Sequence, residues 1–250
     1  MSEQIQISAK NLGALALLTF CVRCFWLRMR CRNRLPYQIF PGIFSSIDGY
    51  SKKITALHFD RQGRVPRWFD DFGELGSPIK VPGWSKYQLF DEETNIRLTG
   101  IPDEVLRHPK KGLSIFDYKT ARFSDAQDVL APMYHTQLNA YALIAQNIGL
   151  GQTSSLGLLY YEPVTELEGA DPDFLIKNDR FFMEFSPRLK PVKLETETIR
   201  PLLRRVREIC DLSECPAGRA DCRDCAMLEE LVRGGGKTFS FSVKHPEVLS

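Results

Sequence analysis

The stretch LTGIPDEVLRHPKKGLSIFDYKT, residues 98–120, limits what this chain can fold into more than any other. It sets Asp103, Asp117 and Lys119 in or beside runs rich in β-branched and aromatic residues, which read as strands. A carboxylate or an ammonium inside a sheet is costly unless a partner compensates it. The pattern predicts a hairpin, with strands at 95–107 and 113–121 and HPKKG (108–112) as its turn. A three-residue loop sets Asp103 opposite Asp117; a slip of one residue stays open, because sequence does not reveal the turn type. Period-two alternation puts Asp117 and Lys119 on one face and Phe116 and Tyr118 on the other. Two facing carboxylates repel unless a proton or a cation lies between them. Their hard oxygens, with a backbone carbonyl and water, suit Mg²⁺ or Mn²⁺. Such an ion polarises a phosphate and acidifies a bound water. Lys119 is placed to orient that water or to stabilise growing negative charge. For D-x-K alone, the plain alternative is an exposed Asp/Lys ladder on a strand edge.

The surrounding elements follow from hydrophobic period and punctuation. Residues 7–33 read as a helix with Ser8 as N-cap. A second helix after Pro41-Gly42 runs into a short strand near 55–59. Residues 60–86 are rich in Gly and Pro and read as a long loop carrying Trp68, Phe69, Phe72 and Trp84. Those rings either anchor the loop to the core or stack bases of a single strand. Strands are expected at 87–92, 154–163 and 179–189. The run at 154–163 is almost continuously apolar, as in a sheet centre. Helices are expected at 133–149, ended by Gly149, at 196–212 and at 225–234. GGGKT at 234–238 mimics the end of a P-loop, but no glycine stands at 231 and no strand precedes it, so no nucleotide site is expected there.

GIPD at 100–103, a strand carrying DYKT at 117–120, and QLNAY at 137–141 together resemble the PD-(D/E)xK nuclease superfamily, in its RecB-like exonuclease branch. The specific motifs occupy only about fifteen positions. The resemblance implies an α/β fold, with a restriction-endonuclease-like central mixed sheet flanked by helices. It also implies a metal-dependent DNA nuclease, expected to be an exonuclease on single-stranded DNA. In that reading Asp103, Asp117 and Lys119 are catalytic. Asp103 and Asp117 hold the metal with the Tyr118 carbonyl and an earlier residue, for which Asp48 is the choice and His58 the alternative. Gln137 and Tyr141, one helical turn apart on one face, position the DNA. The alternative function is a catalytically weak nucleic-acid-binding or scaffold protein on the same fold.

The seven cysteines cluster at the two ends of the sequence. Reduced intracellular thiols make metal ligation the leading explanation. The resemblance extends to a subgroup bearing an iron–sulfur cluster, which includes the CRISPR-associated exonuclease. It implies Cys24, Cys215, Cys222 and Cys225 as a metal clasp on a helical lobe. Four thiolates fit a [4Fe–4S] cluster and, by count, a structural Zn²⁺. Cys210 is a possible substitute for Cys215.

A net charge of +2 excludes a wholesale polycation. Phosphate contacts must then come from local clusters such as Arg23, Arg28, Arg30, Arg32 and Arg34, or Arg204, Arg205 and Arg207. The apolar run at 12–27 is sixteen residues long and broken by Arg23. That is short of the roughly 20 a spanning helix needs, so no membrane role and a cytoplasmic location are expected. The expected domains are an N-terminal helical lobe with the first clasp cysteine (1–56), a nuclease core (57–195), a C-terminal helical and cysteine segment (196–233) and a flexible tail (234–250). The expected partners are DNA, a helicase or a spacer-acquisition integrase complex, and further copies of the chain.

Overall fold

The computed structural model describes residues 3–32, 42–108, 112–122, 129–166 and 171–234. The HPKKG turn lies mostly outside these residues, as do Arg34 and the tail after Gly234.

The chain divides into two units, one of Met1–Leu18 with Tyr37–Glu208, the other of Thr19–Pro36 with Ile209–Ser250. The first is a mixed α/β unit. Strand β1 (Ile5–Ser8) leads into the short helix α1 (Ala9–Gly13) and a 3-10 turn, Ala14–Ala16. Ser8 caps α1 as expected, its Oγ accepting from the Asn11 N–H at 3.2 Å. The single helix expected over 7–33 is therefore not formed. Leu17 takes an extended conformation and ends the first segment, and α2 (Val22–Arg30) starts afresh in the second unit. Among the described residues no helix is long and apolar enough to cross a membrane.

Helix α3 (Gly42–Gln62) is continuous through 55–59, where a strand was expected. The apolar residues of ITALHF are spaced for burial on a helix face as well as on a strand, an ambiguity that short runs carry. The loop after it contains a 3-10 turn, Arg67–Phe72. Phe69 and Phe72 set their rings edge-on to Phe116, with centroids 5.0 and 5.1 Å away. Trp68 lies against Tyr161. These three rings close the core, so the anchoring role is the one observed, while Trp84 is exposed.

Next come β2 (Gln88–Asp91), β3 (Ile96–Thr99), β4 (Glu104–His108) and β5 (Gly112–Lys119). The strand expected over 95–107 is two strands in two different sheets. β3 lies between β1 and β2, parallel to β1 and antiparallel to β2, in a three-stranded sheet. β4 opens the four-stranded sheet β4-β5-β6-β9. The break falls at Gly100-Ile101-Pro102-Asp103. Pro102 has no N–H for a ladder, and Gly100 packs where a Cβ would lie 2.5 Å from Cε1 of Tyr141.

Helix α4 (Ala131–Asn147) connects β5 to the parallel strand β6 (Thr153–Pro163), a βαβ crossover. Pro132 lies in its first turn, and Gly149, at φ 72°, ends it as expected. β6 is an inner strand, flanked by β5 and by β9 (Phe185–Val192), in keeping with its apolar sequence. A helical turn, α5 (Pro172–Leu175), and the small hairpin β7 (Ile176–Lys177) and β8 (Arg180–Phe181) precede β9. The strand expected over 179–189 is thus split into β8 and β9, and β8 turns back on β7 through Asn178 and Asp179, both at positive φ. Helix α6 (Ile199–Cys210) has Pro201 in its first turn.

The second unit is built on α2 and α7 (Arg223–Gly234). Arg23 of α2 pairs with Glu229 of α7 at 2.7 Å. Trp26 Nε1 and Arg30 both donate to the Leu212 carbonyl. Four cysteines, two before or in each helix, join its N-terminal and C-terminal segments.

Candidate active site

The β4–β5 ladder pairs Glu104 with Phe116 and Val105 with Ile115. Continued by one residue, that register sets Asp103 opposite Asp117. Asp103 lies just before β4 and bends its carboxylate onto β5, where Oδ2 accepts the Tyr118 N–H at 2.6 Å. Asp103 thereby supplies an acceptor at the end of the β4 ladder. Alternation along β5 is as expected. Phe116 and Tyr118 point into the cluster of Phe69, Leu106, Leu159 and Tyr161. Asp117 and Lys119 face the other way, toward α4.

Asp117 is buried, and Gln137 Nε2 donates to its Oδ1 at 3.1 Å. Its Oδ2 meets the Lys119 ammonium as an ion pair, but without an aligned hydrogen bond. Burial pushes the Asp117 carboxyl up to about 6; the Lys119 ammonium opposes that shift, and Asp103 adds to it. Gln137 Nε2 also reaches Tyr141 Oη at 2.6 Å, whereas its Oε1 is buried with no partner. Lys119 Nζ lies 4.2 Å from the centre of the Tyr134 ring, a cation–π contact that steers the ammonium. Gln137 and Tyr141 thus stand on one face of α4, with Gln137 bonded to Asp117.

Helix α3 closes the site from the other side. Lys52 Nζ lies 2.8 Å from Asp103 Oδ1 and 2.6 Å from Asp48 Oδ2. Burial works against the Lys52 charge, yet Asp103 and Asp48 hold its pKa above the ordinary lysine value. Asp48 therefore reaches Asp103 through a lysine. His58, the other candidate, turns its Nδ1 to the Arg64 carbonyl at 3.0 Å. Beneath the site, Thr55 and Glu104 both bond the Tyr118 hydroxyl, at 3.1 and 3.3 Å. Burial lifts Glu104 to about 7.

Lys52, Tyr134 and Glu104 were not singled out from the sequence. The spacing of Asp48 and Lys52, one helical turn apart, is a readable pairing signal; nothing local marks the other two. The donor set of Asp103, Asp117 and Asp48 is all oxygen. Its buried member is pushed toward protonation, and two lysines crowd it. Three carboxylates against two ammoniums leave one negative charge over, and this oxygen donor set fits a hard divalent cation.

The thiol centre lies in the second unit. Cys21, Cys24, Cys222 and Cys225 hold their Sγ atoms within 4.8 Å of one another. Cys24 is 3.5 Å from Cys222 and 3.4 Å from Cys225, and Cys21 is 3.6 Å from Cys225. Cys215 is not among them: it is exposed, its Sγ 3.8 Å from the Pro216 carbonyl. Cys21 takes the fourth place because Cys21 and Cys24 share one helical turn, as do Cys222 and Cys225. The overlooked signal is the C-x-x-C spacing of both pairs, a metal-knuckle pattern. Burial opposes ionisation of Cys21, but N–H groups of Arg219 and Cys24 and the neighbouring thiols outweigh it, bringing its pKa down to about 6. Burial and the neighbouring thiols push Cys24 well up, and burial lifts Cys225 to about 11. A metal ion held by the four sulfurs would favour their ionisation.

Several expected phosphate ligands have partners within the protein. Arg23 pairs with Glu229, Arg204 with Glu93 and Arg205 with Glu208. Arg30 and Arg207 donate to backbone carbonyls.

Residues 44–229 match the family model described as the PD-(D/E)XK nuclease superfamily. The chain belongs to that superfamily. A PD-(D/E)XK nuclease acts on nucleic acid, typically with a divalent metal. No curated protein matches the chain. One similar solved structure, "Crystal structure of SSO0001", is 15% identical and covers 86% of this chain and 81% of its own. Its TM-score is 0.32.

Proposed function

We propose that this PD-(D/E)XK protein is a divalent-metal-dependent DNA nuclease, an exonuclease on single-stranded DNA that serves DNA processing, repair or spacer acquisition. The observation that carries the reading is the convergence of Asp103, Asp117, Lys119 and Gln137. They come from just before one strand, an adjacent strand and a helix: Lys119 and Gln137 both contact the Asp117 carboxylate, and Asp103 accepts the N–H of Tyr118, the residue between Asp117 and Lys119. Asp103, Asp117, Asp48 and the Tyr118 carbonyl are the proposed Mg²⁺ or Mn²⁺ ligands. When bound, the cation polarises the phosphodiester and acidifies water.

The chain's own groups do the rest. Lys119, steered by Tyr134, stabilises negative charge that grows on the phosphate. Gln137 fixes the Asp117 carboxylate through its Nε2. Tyr141, bonded to Gln137, holds that amide in place and borders the strand. Partners such as a helicase or an integrase complex fit this reading and are part of the proposal. A metal in the four-cysteine centre is structural in it.

A second reading, a nucleic-acid-binding protein with weak catalysis, is favoured by one observation. Lys52 lies between Asp48 and Asp103 and supplies the positive charge a cation would bring. End-labelled single-stranded DNA with Mn²⁺ separates the two. The nuclease reading expects metal-dependent cleavage that falls at least ~100-fold in Lys119→Ala, with DNA binding retained. Wild-type protein that binds but does not cut with either Mg²⁺ or Mn²⁺ moves the assignment to the second reading.

A further inference from the structure

We infer that the four-cysteine centre is a mononuclear site for zinc, held by Cys21, Cys24, Cys222 and Cys225, and not a seat for the [4Fe–4S] cluster that the iron–sulfur subgroup implies. The inference does not rest on the nuclease reading.

The first argument is spacing. Four thiolates at ~2.3 Å round one Zn²⁺ form a tetrahedron with edges of about 3.8 Å. Three of the edges are 3.6, 3.5 and 3.4 Å, and every other is within 4.8 Å. A cubane puts four irons and four sulfides between its thiolates, each on a different iron, so they must stand much further apart. The thiolates here enclose room for one ion.

The second argument is the wall around them. A Cβ on Gly218 would lie 2.8 Å from Cys225 Sγ. The next residue, Arg219, donates its N–H to Cys21 Sγ at 3.4 Å. Backbone therefore closes directly onto the sulfurs, and widening the tetrahedron for a cubane would drive Cys225 into it.

The third argument is the matched local geometry of the two pairs. Cys21 precedes α2 and accepts the Phe25 N–H at 3.0 Å; Cys222 precedes α7 and accepts the Ala226 N–H at 3.1 Å. Each C-x-x-C thus occupies the flank and third residue of a helix, where the positive end of the helix favours thiolate. Two equivalent knuckles with all four positions filled make a closed structural site, the usual form for Zn²⁺. Between the single ions that accept four thiolates, Zn²⁺ binds more tightly than Fe²⁺.

The full chain, purified anaerobically, tests this through metal, iron and acid-labile sulfide assays. The expected result is one zinc per chain, no labile sulfide and no colour. Metal-free protein should take up one equivalent of Co²⁺ with tetrahedral thiolate absorption, displaced by one equivalent of Zn²⁺. Cys215→Ser should keep the full zinc content, and Cys21→Ser should lose it or bind Co²⁺ at least tenfold more weakly. About four irons with labile sulfide, a single iron in place of zinc, no saturable Co²⁺ binding, or zinc lost in Cys215→Ser would each overturn the inference. DNA cleavage, scored separately, leaves the outcome untouched.

Discussion

Replacing Asp117 with Asn should stabilise the protein in buffer free of divalent cations while abolishing its metal response. Asp117 is buried, and its carboxyl is raised from an ordinary 3.8 to about 6. At about 1.4 kcal/mol per pH unit, ionising it in the folded protein costs roughly 3 kcal/mol at neutral pH. Asn has the shape of the protonated acid and avoids that cost, although its amide suits the neighbouring Lys119 ammonium less well. A net gain of about 1–3 kcal/mol remains. The sign follows from linkage: a raised folded-state pKa gives stability that is present below the unfolded pKa and lost as pH rises through the folded one. The wild type therefore loses ground between pH 3.8 and about 6, and the advantage of the variant should grow over that window and level off above it. Thermal melts at pH 4 and pH 8 read this as near-equal midpoints at the lower pH and a rise of roughly 2–10 °C for the variant at the higher. Mg²⁺ should raise the wild-type midpoint at pH 8 and leave the variant unmoved. A variant no more stable than wild type at pH 8, or a gain independent of pH, would refute the argument that burial of Asp117 is the cost a cation offsets.

Lys52→Met removes the ammonium that shares Asp103 and Asp48. Calorimetric titration should then show several-fold tighter Mg²⁺ binding, about 1 kcal/mol for a half-exposed pair; weaker binding would mean that Lys52 assembles the site instead of competing for it. Gly100→Ala puts a methyl 2.5 Å from the Tyr141 ring. It should cost about 1–3 kcal/mol and lower turnover through displaced Tyr141, and a variant with unchanged melting would show that the GIPD bend does not depend on that contact.

Sequence alone determined the constellation on β5. A period-two strand has only two faces, so D-Y-K in an apolar run commits Asp117 and Lys119 to one side and Tyr118 to the core, whatever surrounds them. The i, i+4 spacing likewise committed Gln137 and Tyr141 to one face of α4. Local signals also placed Ser8 as a cap and Gly149 as a stop. Tertiary structure decided what depends on residues distant in sequence. Residues 95–107 break between two sheets because Tyr141, some forty positions later, packs against Gly100. Residues 55–59 stay helical within α3, and Thr55 there meets the Tyr118 hydroxyl across the core. Lys52 reaches Asp103 only once α3 is packed. Cys21 displaces Cys215 from the thiol centre for the same reason. Cysteine count and the two C-x-x-C spacings are properties of the chain, but that the two pairs meet is fixed by helix starts nearly two hundred residues apart, and propensity carries no information over that distance.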